Sequence, residues 1–207
     1  GSEMCIRDRL RGDLSEGIRY AFIPKKTRGE TVTFTLTLRF GTGETLKGKR
    51  GAVELLGIMM GRGTQKLDYS AIEDEKVRLR LQASVSSTLG LLQISAKTKR
   101  EFLPESVALI GDIIRSPRFE GSELEVIRRQ IVTGLEQSST DPQSLGRRSV
   151  DRRLTPYPKG HVLAVQSIDE EIEMYRSVTI EEIAALHREF IGSHAGEVTA
   201  VGDFDVE

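Results

Sequence analysis

Between residues 32 and 40 the chain alternates with period two. Val32, Phe34, Leu36, Leu38 and Phe40 are apolar, and Thr33, Thr35, Thr37 and Arg39 between them are polar. Successive side chains of a strand point to opposite faces, so this segment is satisfied as a strand with one packed face and one wet face. Half-buried strands of this kind belong to antiparallel sheets covered on one side, because strands of buried parallel sheets read as continuous apolar runs. A shorter strand reads from Gly17 to Pro24, where Ile18, Tyr20 and Phe22 alternate with Arg19, Ala21 and Ile23. Pro24 has no N–H to give a ladder and ends it. Only the basic turn Lys25 to Gly29 separates the two, so they are predicted to pair as a hairpin.

Beyond the loop Gly41 to Gly48 the period changes. Ala52, Val53, Leu55, Leu56, Ile58, Met59 and Met60 are apolar on more than one helical face, which predicts a buried helix closed by Gly61-Arg62-Gly63-Thr64. Ser70-Ala71-Ile72-Glu73 fits a capping box opening a second helix to about Leu81. Two strand-like pieces, Ala83–Ser87 and Leu91–Ala96, flank the turn-prone Gly90. Helices are then predicted over Glu105–Ser116, from the box Ser122-Glu123-Leu124-Glu125 to about Gln137, and over Gln143–Arg153. The last helix runs from the box at Thr179-Ile180-Glu181-Glu182 through Ile191, and Val198–Gly202 is a final strand. The order, β-β-α-α-β-β-α-α-α-α-β, pairs strands locally and clusters helices. That is α+β: an antiparallel sheet with helices on one face.

The chain has 207 residues, enough for one domain with a core that needs no disulfide or metal. Thirty basic residues against 31 acidic give a net charge of −1, and Trp is absent, so neither a phosphate-binding nor a base-stacking surface is implied. No apolar run approaches the roughly 18 residues of a membrane span. Residues 1–11 are set apart from the fold as a disordered terminus or an adapter-derived scar, because Met4-Cys5-Ile6-Arg7-Asp8-Arg9 looks like translated sequencing adapter; they contain the sole cysteine, Cys5. Residues 12–207 form a single module, read as a fragment of a longer chain.

Three segments together resemble the insulinase/pitrilysin zinc metallopeptidases, which include the mitochondrial processing peptidases. They are Gly51 to Thr64, Phe119-Glu120 through Asp141-Pro142, and Val178-Thr179-Ile180-Glu181-Glu182 through Val201-Gly202-Asp203-Phe204-Asp205. Their order and spacing fit one module of that family over Gly12 to Glu207. The stretch around Pro24-Lys25-Lys26-Thr27-Arg28-Gly29 looks most like the module that opens the C-terminal half of large bacterial members.

In catalytic modules of that family the buried helix carries H-x-x-E-H. Two His at i and i+4 lie one turn apart on the same face and both reach one Zn²⁺, and the Glu is general base to the zinc-bound water. Counting back from Gly63-Thr64, the corresponding positions here are Glu54, Gly57 and Ile58, and the later helix puts Leu135, with Glu136 beside it, at the third ligand. Glycine offers no base and isoleucine no ligand. The resemblance therefore implies no catalytic, cofactor or metal residue in this chain, with zinc expected in a catalytic partner module.

Other constellations carry less. His187 and His194 are seven apart, about 10 Å along a helix, and His161 lies beyond Pro156-Tyr157-Pro158. Gly41-Thr42-Gly43 lacks a phosphate-loop Lys, and Ser86 and Ser87 lack a nucleophile elbow. Lys97-Thr98-Lys99-Arg100 reads as a solvated loop. Arg147-Arg148 and Arg152-Arg153 sit five apart and could put positive charge on one helix flank. The resemblance implies a non-catalytic half-module that forms the substrate-chamber wall and interface for a catalytic module, in the same or another chain, that hydrolyses peptides. The alternative is a scaffold subunit of a larger complex. Large bacterial relatives imply the periplasm.

Overall fold

The computed structural model describes residues 9–14, 17–158, 161, 163–192 and 195–205. Cys5 and His194 lie outside the described residues. In chain order the elements are β1 (Leu10–Asp13), β2 (Ile18–Pro24), β3 (Thr31–Arg39), α1 (Arg50–Met60), α2 (Tyr69–Arg78), β4 (Gln82–Thr88) and β5 (Leu91–Lys99). A 3₁₀ turn at Arg100–Phe102 leads into α3 (Leu103–Arg115), α4 (Gly121–Ser138), α5 (Pro142–Leu154), α6 (Ile168–Ser177), α7 (Ile180–Phe190) and β6 (Gly196–Gly202).

The six strands form one sheet in the order β1-β2-β6-β3-β5-β4. The fold is α+β, and the ladders are antiparallel except β2 with β6, which run parallel. β2 and β3 do not form the hairpin their closeness in sequence predicts. β6 lies between them: Val198 pairs with Tyr20 on one side and with Leu36 on the other. The composition of β6 explains the preference. Its core face is Gly196, Val198, Ala200 and Gly202, three of the four small, and a Cβ on Gly196 would stand 2.9 Å from Ile18 and 3.1 Å from Leu38. A strand of small residues lets larger neighbours on both sides share the space above it. β1 begins at Leu10, two residues before the boundary drawn from sequence, and pairs with β2.

The alternation of β3 is realised as read. Val32, Phe34, Leu38 and, just past the strand, Phe40 are buried, as are Leu92, Ile94 and Ala96 of β5. They pack in one cluster with Val53, Leu56 and Met60 of α1, Ile110 and Ile113 of α3, and Ile183 and Leu186 of α7. The opposite residues form the wet face.

Helix starts agree in part. Thr179 and Glu182 cap α7 reciprocally, as their spacing predicts. α2 is capped by Asp68, whose carboxylate accepts from the Ala71 N–H, so Ser70 lies inside the helix. α4 starts after Glu120 with no side-chain cap, which places Ser122 in its first turn. α6 has no counterpart in the sequence reading, although Ser167 and Glu170 form a full capping box at its start. At the C-terminal end, Gly202 has φ +144°, a conformation closed to most side chains. The chain then turns so that Arg100 holds Asp203 at 2.7 Å and also pairs with Asp205.

Candidate functional site

Glu54, Gly57 and Ile58 stand on α1, and the structure places each in a different setting. Glu54 is half-buried and engaged: Arg50 Nε donates to its Oε1 at 2.8 Å, and the Tyr175 hydroxyl donates to its Oε2 at 2.5 Å. Burial, and then the Glu54 carboxylate, push the Tyr175 hydroxyl above the ordinary phenol range. Tyr175 is therefore a fixed donor at neutral pH, and the Glu54 carboxyl is held between a guanidinium and a phenol.

Gly57 is buried against β4. A Cβ added there would lie 2.7 Å from the Ser86 carbonyl carbon and 2.7 Å from the Ser87 nitrogen. Both are backbone atoms, so no rotamer change makes room. The same approach inserts a side chain into the helix ladder. The Gly57 N–H donates to Ser87 Oγ at 2.7 Å, and Ser87 Oγ donates to the Val53 carbonyl at 2.5 Å. The i→i−4 bond that would join Val53 to Gly57 runs through a hydroxyl from the neighbouring strand. Where the resemblance puts a catalytic glutamate, the space holds β4.

Ile58 is 37% exposed. On α4, Leu135 packs on Val132, Ile168 and Ile172 in a small apolar cluster, while Glu136 pairs with Arg176 at 3.4 Å on the surface. The chemistry of this donor set does not fit a zinc ion: it offers one carboxylate already held by a cation and a phenol, then a glycine, an isoleucine and a leucine. Among the described residues no three of His, Cys, Asp or Glu stand close enough together to hold a metal. His187 Nε2 lies 2.7 Å from the Ile114 carbonyl with its ring edge-on to Phe119. His161 stacks on Tyr157 at 4.4 Å.

A cleft of about 710 Å³ opens beside Glu54, walled by Arg50, Leu89, Ser144, Arg147, Arg148 and Glu171 among others. Its charges are largely matched. Arg148 makes a two-pronged contact with Glu171, at 2.9 and 3.0 Å, and also donates to the Gln166 carbonyl. The sequence shows Ser87 only as a nucleophile candidate without an elbow, and does not point to Tyr175 or Glu171. The Ser167–Glu170 box was the one available signal for the helix that carries Tyr175 and Glu171.

The second candidate surface is the wet face of the sheet. Thr35 stands beside Thr199 on β6 and Ser95 on β5, and Ser95 beside Ser84 on β4. The next row reads Glu197, Thr37, Gln93, Ser86. Most of these are short side chains whose hydroxyls both donate and accept, and Glu197 and Gln93 add a carboxylate and an amide. β4 forms one edge of this sheet.

No family model matches the chain. The non-peptidase homologue YmxG of Helicobacter pylori is 22% identical over 119 residues, which cover 58% of this chain and 28% of that one. Solved structures superpose far more completely. A peptidase M16 inactive domain from Pseudomonas fluorescens matches 95% of this chain with a TM-score of 0.79 at 17% identity. The periplasmic protease PqqL of Escherichia coli matches 97% with a TM-score of 0.77, also at 17% identity. A protease from Helicobacter pylori matches 96% with a TM-score of 0.76 at 16% identity. The chain spans 47% of the first and third of these structures and 22% of PqqL, so it is less than half as long as each. With its helix-backed sheet, the chain has the fold that the peptidase M16 inactive domain shares with these two proteases.

Proposed function

We propose that this chain is a non-catalytic half-module of a zinc peptidase, forming part of the wall of a substrate chamber and the interface with a catalytic module that hydrolyses peptides. The observation that carries the reading is the pairing of a filled motif position with an open sheet. β4 occupies the space beside Gly57, while on the sheet face turned away from the core two central rows across β6, β3, β5 and β4 carry mainly Thr and Ser, with Gln93 and Glu197 among them. Such a face offers hydrogen bonds to a peptide backbone without selecting strongly among side chains. The β4 edge gives a second mode of contact, in which an extended peptide adds as a further strand. Zinc and the general base belong to the partner, in the same or another chain. The likeness to periplasmic PqqL supports an address in the periplasm, and no helix among the described residues is long and apolar enough to cross a membrane.

The test is reconstitution in trans. A zinc-bearing M16 module from the same source is mixed with the full chain, and cleavage of a fluorogenic peptide is followed. A rise in kcat/KM of about tenfold or more over the catalytic module alone is expected, equivalent to roughly 1.4 kcal/mol of transition-state stabilisation. No gain at saturating chain would count against the reading. The similarity to a relative named a non-peptidase homologue favours a second reading, a scaffold subunit. Incorporation into a large complex without any peptide binding would decide for it.

A further inference from the structure

Helix α5 is inside out. A helix that packs on its own domain turns its apolar residues inward and its polar residues to water. In α5 the side facing the body is Ser144, Arg148 and Asp151, at the i, i+4, i+7 spacing of one helical face; all three line the cleft beside Glu54, and Arg147 stands at its rim, between the cleft and the outer face. No residue of α5 is buried. What holds it is polar: the Arg148 contacts to Glu171 and Gln166, and the Asp141 cap at its start. Its apolar residues are exposed; Leu145, 45% exposed, lies on the opposite flank, and the other two share one side. Val150 is 54% exposed and Leu154 74% exposed. With Gly146 they form a ridge at four-residue spacing, and a Cβ on Gly146 would meet nothing within 4 Å.

The ridge is flanked by cations. Arg147, 87% exposed, reaches Asp151 only at 4.0 Å, and Arg153 has no ion-pair partner among the described residues. The helix as a whole carries four arginines and one aspartate, in a chain whose net charge is −1. From this reversed amphipathicity and local charge we propose that the outer face of α5 is a docking ridge for another polypeptide. The partner surface is an apolar strip rimmed by carboxylates, with the bare Gly146 allowing its backbone close approach. A membrane surface fits less well, because an interfacial helix needs a broad apolar face with Trp, Phe or Leu, and this ridge holds one Val and one Leu. The helix is about 20 Å long, so it supplies one strip of an interface and a contact of modest affinity. The ridge lies on α5 and not on the sheet, so this inference does not rest on peptide binding by the sheet, and it gives the proposed module interface a place and a chemistry.

The test uses the full chain and two synthetic helical peptides. Both carry leucines at four-residue spacing; one is flanked by glutamates and the other by lysines. Binding is read by fluorescence anisotropy. The glutamate peptide is expected to bind at least about tenfold tighter than the lysine peptide, with that preference reversed in Arg147→Glu/Arg153→Glu and binding lost about tenfold in Val150→Ser/Leu154→Ser. All four positions are on the surface, and circular dichroism checks that the variants remain folded. Several results overturn the proposal. One is no saturable binding of the glutamate peptide up to about 1 mM; others are equal binding of the two peptides or indifference to both double variants. Sedimentation with phosphatidylglycerol vesicles, lost in Val150→Ser/Leu154→Ser, would give the ridge to a membrane. A concentration-dependent dimer lost on Leu154→Ser would give it to a second copy.

Discussion

At the junction of α1 and β4 two backbones touch, and a strand hydroxyl completes the helix's own hydrogen-bond ladder. At α5 no residue is buried, a cleft of about 710 Å³ lies beneath the helix, and an arginine latch spans it. The first region is fixed by shape. A side chain of any size at Gly57 meets atoms that cannot turn away. The second is fixed by charge, and its outward apolar residues are largely exposed. The difference separates a junction set by backbone contact from a helix held by a few polar contacts.

The largest effect expected from breaking this contrast comes from Gly57→Glu, which restores the family's general base to its position. Overpacking against the β4 backbone, together with a buried charge, is expected to cost about 3 kcal/mol or more, read as a fall in the urea midpoint. A variant of wild-type stability would show that β4 yields easily and that the site is merely unfilled. Ser87→Ala comes next. It deprives the Gly57 N–H and the Val53 carbonyl of their shared hydroxyl, at an expected cost of about 1–3 kcal/mol by denaturant melts. A cost below about 0.5 kcal/mol would mean that the ladder recloses without it.

The α5 side of the contrast is sharpened by Arg148→Ala. Hydrogen exchange of the α5 amides is expected to speed up about tenfold, with α1 and β4 amides unchanged. Slowed or equal exchange in α5 would refute the latch. The smallest effect is in acid. The Ser144 hydroxyl and then its N–H hold the Asp141 carboxyl below its ordinary value of 3.8. A depressed carboxyl contributes stability above its unfolded value and loses it as pH falls through the folded one. Protection in the first turn of α5 should therefore drop below pH 3.8, with little change at α1.

Local signals were readable and partnerships were not. The Val32–Phe40 alternation, the apolar α1 and the Thr179–Glu182 box each report on a few neighbouring residues, and each is found as expected. The place of β6 between β2 and β3 depends on strands distant in sequence, and nothing in Gly196–Gly202 names them. α6 was legible in principle: Ser167 and Glu170 have the capping spacing, and Ile168 and Ile172 share a face. At the candidate site the substitutions Gly57 and Ile58 were visible as missing donors. That β4 fills the place beside Gly57, and that Arg50 and Tyr175 hold Glu54, could not be, because the contacts cross from α1 to β4 and α6.

The central claim is that α1 no longer holds a catalytic metal. Its most direct test is the zinc content of the purified full chain after dialysis against buffer containing zinc at about micromolar concentration, well above what a catalytic three-ligand site requires. The account predicts no zinc above the buffer blank. One tightly held zinc per chain would contradict it, and would mean that ligands other than Glu54, Gly57, Ile58 and Leu135 assemble a site.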